Sequence, residues 1–212
     1  MLIAIDGPAA SGKGTLSKLI ANHYNIDHLD TGILYRKVAF LVISKDINFE
    51  DKDSVIKEVN KINIINNKNT ALRSEKVSKL ASIISNYEEI RFELLIFQRS
   101  FANHPPGGKG AVLEGRDIGT IICPEAKVKL FIDASLDVRA IRRYKELKET
   151  NNKVNLEDIK AGIRKRDLRD KQREISPLIP AKDAHLINTT NLDIEGTFSK
   201  ACKIIDNYIN HI

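Results

Sequence analysis

Residues 3–15 read Ile3-Ala4-Ile5-Asp6-Gly7-Pro8-Ala9-Ala10-Ser11-Gly12-Lys13-Gly14-Thr15, and few short segments restrict a chain as tightly. The apolar run Leu2 to Ile5 predicts a buried parallel strand. It breaks into a Gly-rich turn, after which Leu16, Leu19, Ile20 and His23 recur at helical spacing. Strand, loop and helix in that order make a phosphate-binding loop. The glycines let consecutive backbone N–H groups turn inward around phosphate oxygens, and the helix N-terminus adds positive potential. Gly7, Pro8, Ala9, Ala10, Ser11, Gly12, Lys13, Gly14 and Thr15 are therefore the candidate nucleotide-binding residues. Lys13 can reach the β- and γ-phosphates as a point charge. Gly14 follows the lysine and the hydroxyl comes one residue later, at Thr15. The motif thus does not by itself provide a hydroxyl ligand for Mg²⁺ beside the lysine, and no side chain is singled out as a metal ligand.

The rest of the chain alternates strand and helix signals. Short apolar runs at 26–30, 110–114, 128–133 and 185–189 predict four more strands. Helical faces recur through Ile33, Leu34, Val38, Leu41 and Val42, then Val55, Ile56, Val59 and Ile62, then Val77, Leu80, Ala81 and Ile84, and from Tyr87 to Phe101. Further helices are predicted at 136–149, 156–174 and 193–210, with Pro105-Pro106-Gly107-Gly108 a loop. Five strands separated by helices imply an α/β fold, a doubly wound five-stranded parallel sheet. Ligands of such sheets sit at the carboxyl ends of the strands, where the Gly7 loop, Asp30 and Glu114 all fall. With 212 residues, a single domain is expected, its core being 1–30, 108–143 and 158–212. Residues 31–107 form one insertion and about 144–157 a second, whose polar Thr150-Asn151-Asn152-Lys153 suits a hinge or lid.

Composition narrows the partners. The chain is 42% hydrophobic and 29% charged, the balance of a soluble globular protein. No secretory leader or membrane span is visible, so a cytoplasmic protein is expected. Cys123 and Cys202 lack metal-ligand spacing and read as cytosolic thiols. The net charge is +6, but the arginines cluster at 139–143 and 164–173, inside the chain, which favours a local phosphate site over a nucleic-acid tail. There is no Trp and only 6% aromatic residues, so stacking platforms for bases of a single strand are scarce. No nucleic-acid or membrane partner is expected. No heptad run or apolar helix face is left over, and a monomer is the default.

Four further segments are ambiguous one at a time. Asp30-Thr31-Gly32-Ile33-Leu34-Tyr35-Arg36 could be an N-cap at Thr31 before a helix with a solvated arginine. Leu113-Glu114-Gly115-Arg116-Asp117-Ile118-Gly119-Thr120 could hold only a structural ion pair. Arg166-Asp167-Leu168-Arg169-Asp170-Lys171-Gln172-Arg173 could be a charged helix face, and Ser176 to His185 a plain loop. Together with the phosphate loop, the arginine-rich 138–147 and Thr189-Thr190-Asn191-Leu192-Asp193-Ile194-Glu195, they resemble bacterial cytidylate kinases, nucleoside monophosphate kinases, in order and over nearly the whole chain. GKGT in place of GK[ST] is also typical of such small-molecule phosphotransferases.

The resemblance implies ATP as phosphoryl donor with Mg²⁺, CMP and dCMP as acceptors, and a role for each matched residue. Ser82 and Asp117 match acceptors for the cytosine amino group, and Arg91 a donor to the ring. Arg36, Arg116 and Arg173, with Thr31 beside them, match the clamp on the acceptor phosphate. Arg166 and Asp170 match sugar contacts. Lys13 would neutralise the transferring phosphoryl, with Arg139, Arg142, Arg143 and Arg166 candidates for a lid-side clamp on it, and closure of 144–157 would exclude water. The segment between Ile62 and Val77 looks short beside the small β-sheet that family members commonly insert there. A kinase of the same fold acting on UMP, AMP or shikimate is the alternative within the class. A nucleic-acid-binding ATPase is the alternative outside it, and a switch GTPase is disfavoured by the lack of an Asn-Lys-x-Asp motif.

Overall fold

The computed structural model describes residues 1–60, 70–149 and 154–210. The strands are β1 (Leu2–Asp6), β2 (Asp27–Asp30), β3 (Ala111–Gly115), β4 (Val128–Asp133) and β5 (His185–Asn188). They form one sheet in the order β2-β3-β1-β4-β5, and every pairing is parallel, as the alternation of strands and crossovers requires. From β1 the chain crosses to β2 at one edge, returns to β3, and then passes over β1 to β4 on the other side. That reversal opens a crevice at the carboxyl end of β1. The register sets Asp6 level with Gly115 and Phe131, and Asp30 level with Glu114, so the functional segments emerge at one rim.

Alternate strand residues face opposite layers. Ile3, Ile5, Val112, Leu130 and Ile132 pack with Leu16 and Ile20 of α1 (Lys13–Tyr24) and with Ala201 and Ile205 of α8 (Ile194–Ile209). Ala4, Leu29, Ala111 and Leu113 pack on the other side with Ala102 of α5 (Glu88–Asn103) and with Ile118 and Ile122, which form a π-type turn, Ile118–Ile122. A second core lies off the sheet. There α2 (Thr31–Ser44), α3 (Lys52–Val59), α4 (Glu75–Ile84) and α5 bury Leu34, Val38, Val55, Ile84, Ile90 and Leu94. Because α5 serves both cores, it fixes the helical insertion to the sheet. A small third cluster, Ala140, Ile159 and Ile163, joins α6 (Leu136–Lys148) to α7 (Leu156–Gln172).

Two helix boundaries at the site differ from the sequence expectations. Asp30, not Thr31, caps α2: its carboxylate accepts from the Ile33 N–H at 3.2 Å. Thr31 is the first helical residue, and its hydroxyl donates to the Glu114 carbonyl at 2.8 Å. A carboxylate satisfies a helix N-terminus at least as well as a hydroxyl, which frees the threonine to bridge to β3. The helix predicted to 174 ends at Gln172, where Arg173 turns extended. The helix predicted at 136–149 is found at Leu136–Lys148, so the first residues of the segment about 144–157 are helical. The hinge stretch Thr150 to Lys153 lies outside the described residues, as do residues 61–69 of the segment read as shortened. Both cysteines are free, Cys123 buried. Among the described residues no helix is long and apolar enough to cross a membrane.

Candidate active site

The loop after β1 has the backbone its motif calls for. Gly7 has φ +155, and a Cβ there would overlap the Ile132 carbonyl on β4, so only glycine lets the loop leave the sheet so closely. Ala10 and Gly12 also take positive φ, 59 and 94. Lys13 folds back over the loop and donates to the Pro8 carbonyl at 3.2 Å. Burial, then repulsion from Arg116, push its ammonium down to about 7, against the attraction of Glu114 and Asp30. A lysine in that state is short of a negative partner, and a phosphate would supply one.

Asp6 ties this loop to the next segment. Its two carboxylate oxygens accept from the N–H groups of Ile118 and Gly119, each at 2.8 Å. Burial pushes its carboxyl up to about 7 in spite of those bonds. The turn that carries Arg116 and Asp117 is thereby pinned to the strand that carries the phosphate loop. Arg116 and Asp117 do not pair with each other. Arg116 Nε donates to Asp170 Oδ2 at 2.9 Å. Asp117 is buried between two guanidinium groups, hydrogen-bonded to Arg91 and 3.5 Å from Arg173 Nη2. Arg91 also lies over the Tyr35 ring, 5.8 Å from its centroid.

Ser82 stands with Asp170. Its hydroxyl accepts from Arg169 Nη1 at 2.8 Å and donates to Asp170 Oδ1 at 3.3 Å. Burial acts upward on the Asp170 carboxyl, yet Arg116 and Arg166 hold it below the usual carboxylate range. Arg169 and Arg173 line an adjoining cleft of about 410 Å³ together with Asn86, Gln172, Glu174 and Ile175.

Arginines converge from separate elements. Arg166 is held down to about 9 by burial and by Arg116, with Arg36 and Arg143 adding repulsion and Asp170 opposing it. Arg36 is lowered by burial, with Asp30 opposing and Arg143, Arg73 and Arg116 repelling. Guanidinium groups do not relieve such crowding by losing protons near neutrality. Anions relieve it. Arg166 Nε is buried without a hydrogen-bond partner and lies 3.7 Å from Asp170.

Arg139 and Arg142 stand apart from this cluster. Arg139 is buried, donates to the carbonyls of Ala134 and Ala9 at 2.9 and 3.3 Å, and pairs with Asp167 at 2.7 Å. Arg142 donates to Ser11 O, Thr189 Oγ1 and Thr189 O at 3.2, 2.9 and 2.8 Å. Both brace the outside of the phosphate loop. Arg143 faces the other way: it donates to the Arg73 carbonyl at 2.9 Å and pairs with Glu146 at 2.8 Å. Arg73, Arg169, Thr189, Asp6 and His28 escape the sequence reading as site residues. Only Asp6 carried a local signal, an acid on an otherwise apolar strand. The others gain meaning from elements distant in the chain.

A family model described as cytidylate kinase matches residues 3–207. The cytidylate kinase of Rhodopseudomonas palustris is 46% identical over 97% of this chain and 96% of its own length. That of Methylocella silvestris is 43% identical over 97% and 94%. The chain belongs to the cytidylate kinase family. It is a nucleotide-binding phosphotransferase, as the phosphate loop alone suggested in outline. Among solved structures, an uncharacterized protein from Eubacterium ventriosum superposes with TM-score 0.52 at 18% identity, covering 100% of this chain and 99% of its own. A putative kinase from Chloroflexus aurantiacus superposes with TM-score 0.50 at 14% identity, covering 99% and 96%. At that identity these two agree on the fold alone.

Proposed function

We propose that this cytidylate kinase family member transfers the γ-phosphoryl group of ATP to CMP and dCMP, giving CDP and dCDP. The observation that carries the reading is two groups of buried cations close enough to repel one another, each short of an anion. The loop with Lys13 is one, and the crowded Arg36, Arg116 and Arg166 are the other. Phosphoryl transfer asks for alignment and charge neutralisation more than for covalent chemistry. The attacking oxygen of a nucleoside monophosphate is already anionic, so no general base is needed.

Within that reading Lys13 and the backbone of Gly7 to Thr15 hold the donor phosphates. Arg36, Arg116 and Arg173, with Thr31 beside them, hold the acceptor phosphate. Arg143 and Arg166 are the clamp on the group in flight, because both belong to the mutually repelling cluster with Arg36, whereas Arg139 and Arg142 hold carbonyls of the phosphate loop. Asp117 and Arg91 read the base: a carboxylate rewards the amino group of cytosine and repels the carbonyl of uracil. Asp170, with Ser82 bonded to it, serves the sugar. The segment about 144–157 acts as a lid that keeps water from the donor, with 31–107 as the acceptor-side region.

The Mg²⁺ that accompanies ATP fits Glu114. This buried carboxylate brings both oxygens within 3.3 Å of the place a Gly14 Cβ would take, and hard cations prefer oxygen ligands. Gly14 leaves the room, and Glu114 and the nucleotide's own phosphates would hold the ion. When bound, it neutralises the β- and γ-oxygens.

A coupled assay with Mg·ATP and CMP, dCMP, UMP, AMP or shikimate tests the proposal. The expected order is CMP and dCMP well ahead of UMP, with AMP and shikimate inactive. Preference for another acceptor, or ATP hydrolysis stimulated by DNA or RNA, would replace the reading. A monomer in the cytoplasm is part of the same proposal.

A further inference from the structure

Glu114 has a neighbour that the phosphate loop does not explain. His28 Nε2 lies 2.9 Å from Glu114 Oε1. A carboxylate oxygen only accepts, so the Nε2–H donates. The two side chains are 18% and 5% exposed, too enclosed for water to do the same work freely. The sheet builds the contact: His28 pairs in register with Val112, and Asp30 with Glu114. Positions 28 and 30 share one face of β2, and 112 and 114 one face of β3. His28 therefore meets Glu114 on the diagonal, within reach of a long side chain. Thr31 fixes the same residue from the backbone side, through its bond to the Glu114 carbonyl.

Glu114 needs holding. Lys13 is attracted to it, and in a poorly hydrated site an unheld carboxylate turns toward the nearest ammonium. That turn would remove the carboxylate from Gly14 and occupy the lysine that the donor phosphates require. One fixed N–H donor from β2 prevents it.

We infer that His28 is a positioning residue, which holds the Glu114 carboxylate against Gly14, where the cation brought by the donor nucleotide meets it. The inference rests on the reading of Glu114 as the residue that holds Mg²⁺. Groups that orient a ligating side chain typically matter by about 10–100-fold in metal affinity. His28→Leu removes the donor, and His28→Gln returns an N–H at similar reach.

The experiment is a titration of Mn²⁺, followed by electron paramagnetic resonance, into the protein with a non-hydrolysable ATP analogue. It is paired with the Mg²⁺ dependence of turnover at saturating ATP and CMP. His28→Leu is expected to weaken Mn²⁺ binding about 10-fold and to raise the Mg²⁺ requirement in step, with KM for CMP unchanged. His28→Gln is expected to recover most of both, and Glu114→Gln to reproduce the loss. Wild-type metal affinity in His28→Leu, or equal losses in His28→Leu and His28→Gln, would show a purely structural histidine. Unchanged metal affinity in Glu114→Gln would instead remove the reading of Glu114 and the inference with it. Thermal melting checks each variant. Should His28→Leu not fold, His28→Asn, whose amide stops short of Glu114, takes its place with the same two outcomes.

Discussion

On the reading proposed above, the donor and acceptor sides of the site are built on opposite plans. The donor side is one unbroken segment, Gly7 to Thr15, and acts mainly through backbone N–H groups fixed by local conformation. The acceptor side is assembled from side chains on α2, α4, α5, the turn after β3, and α7. Nearly every one of these already has a partner: Arg91 and Arg116 donate to Asp117 and Asp170, Arg169 donates to Ser82, and Arg173 and Arg166 form looser ion pairs with Asp117 and Asp170. A contiguous cradle can be made by a few residues in any sheet of this kind. A distributed pocket demands that several elements agree in position, so in that reading it carries the selectivity.

The sharpest test of that contrast is Lys13→Ala. It removes one charge from a preformed cradle and should leave the fold intact. Loss of a preorganised charge contact costs on the order of 10²–10³ in turnover. Steady-state rates within tenfold of the parent would show that the cradle is not the donor site.

The acceptor side should respond in selectivity first. Asp117→Asn turns a fixed acceptor into a group that can also donate, and uracil offers an acceptor where cytosine offers an amino group. The preference for CMP over UMP should shrink by about 1–3 kcal/mol, the usual worth of a mismatched hydrogen bond. The ratio of kcat/KM values for the two acceptors measures it. An unchanged ratio would place base recognition elsewhere.

Arg139 and Arg143 sharpen the boundary between support and chemistry. They lie one helical turn apart on α6, but Arg139 is buried against Asp167 whereas Arg143 faces the arginine cluster. Arg139→Ala leaves a carboxylate without its cation and should cost about 3–5 kcal/mol of stability. Arg143→Ala should melt near the parent temperature and lose turnover instead. Equal melting temperatures for the two variants would erase the distinction.

The smallest effect concerns a proton. Lys13 sits near pKa 7 in the empty site because burial and Arg116 disfavour its charge. Bound phosphates favour the charged form and move the group back toward its ordinary value near 10.5. Above pH 7 the empty protein therefore lacks a proton that the complex carries. Binding of the ATP analogue should take up close to one proton at pH 8 and much less at pH 6. Calorimetry in two buffers of different ionisation heat reads this directly. Buffer-independent heats at pH 8 would mean that Lys13 is charged before the nucleotide arrives.

The same contrast explains what could be read from the chain alone. All five strands and the cradle follow from short-range signals: an apolar run, a Gly-rich turn, a helical stripe. The partners of the acceptor-side residues do not. Arg116 and Asp117 are adjacent in sequence and invite pairing, yet the bend they form sends one to Asp170 and the other to Arg91. Arg139, Arg142 and Arg143 look alike in a basic run, but one helical turn carries Arg143 from the level of Ala9 and Asp167 to that of Arg73, and the 100° step turns Arg142 to Thr189. His28 reads as an ordinary strand residue until the register brings Glu114 opposite. Resemblance supplied the residues of the pocket. Only the fold supplies their pairings.

The fit of Glu114 against Gly14 also constrains descent. The two positions are 100 residues apart in the chain yet compete for one small volume. A relative that acquires a methyl at position 14 must move the carboxylate at 114 by a few tenths of an ångström, away from the place it holds here. Substitutions at these two sites should therefore tend to occur together across natural sequences.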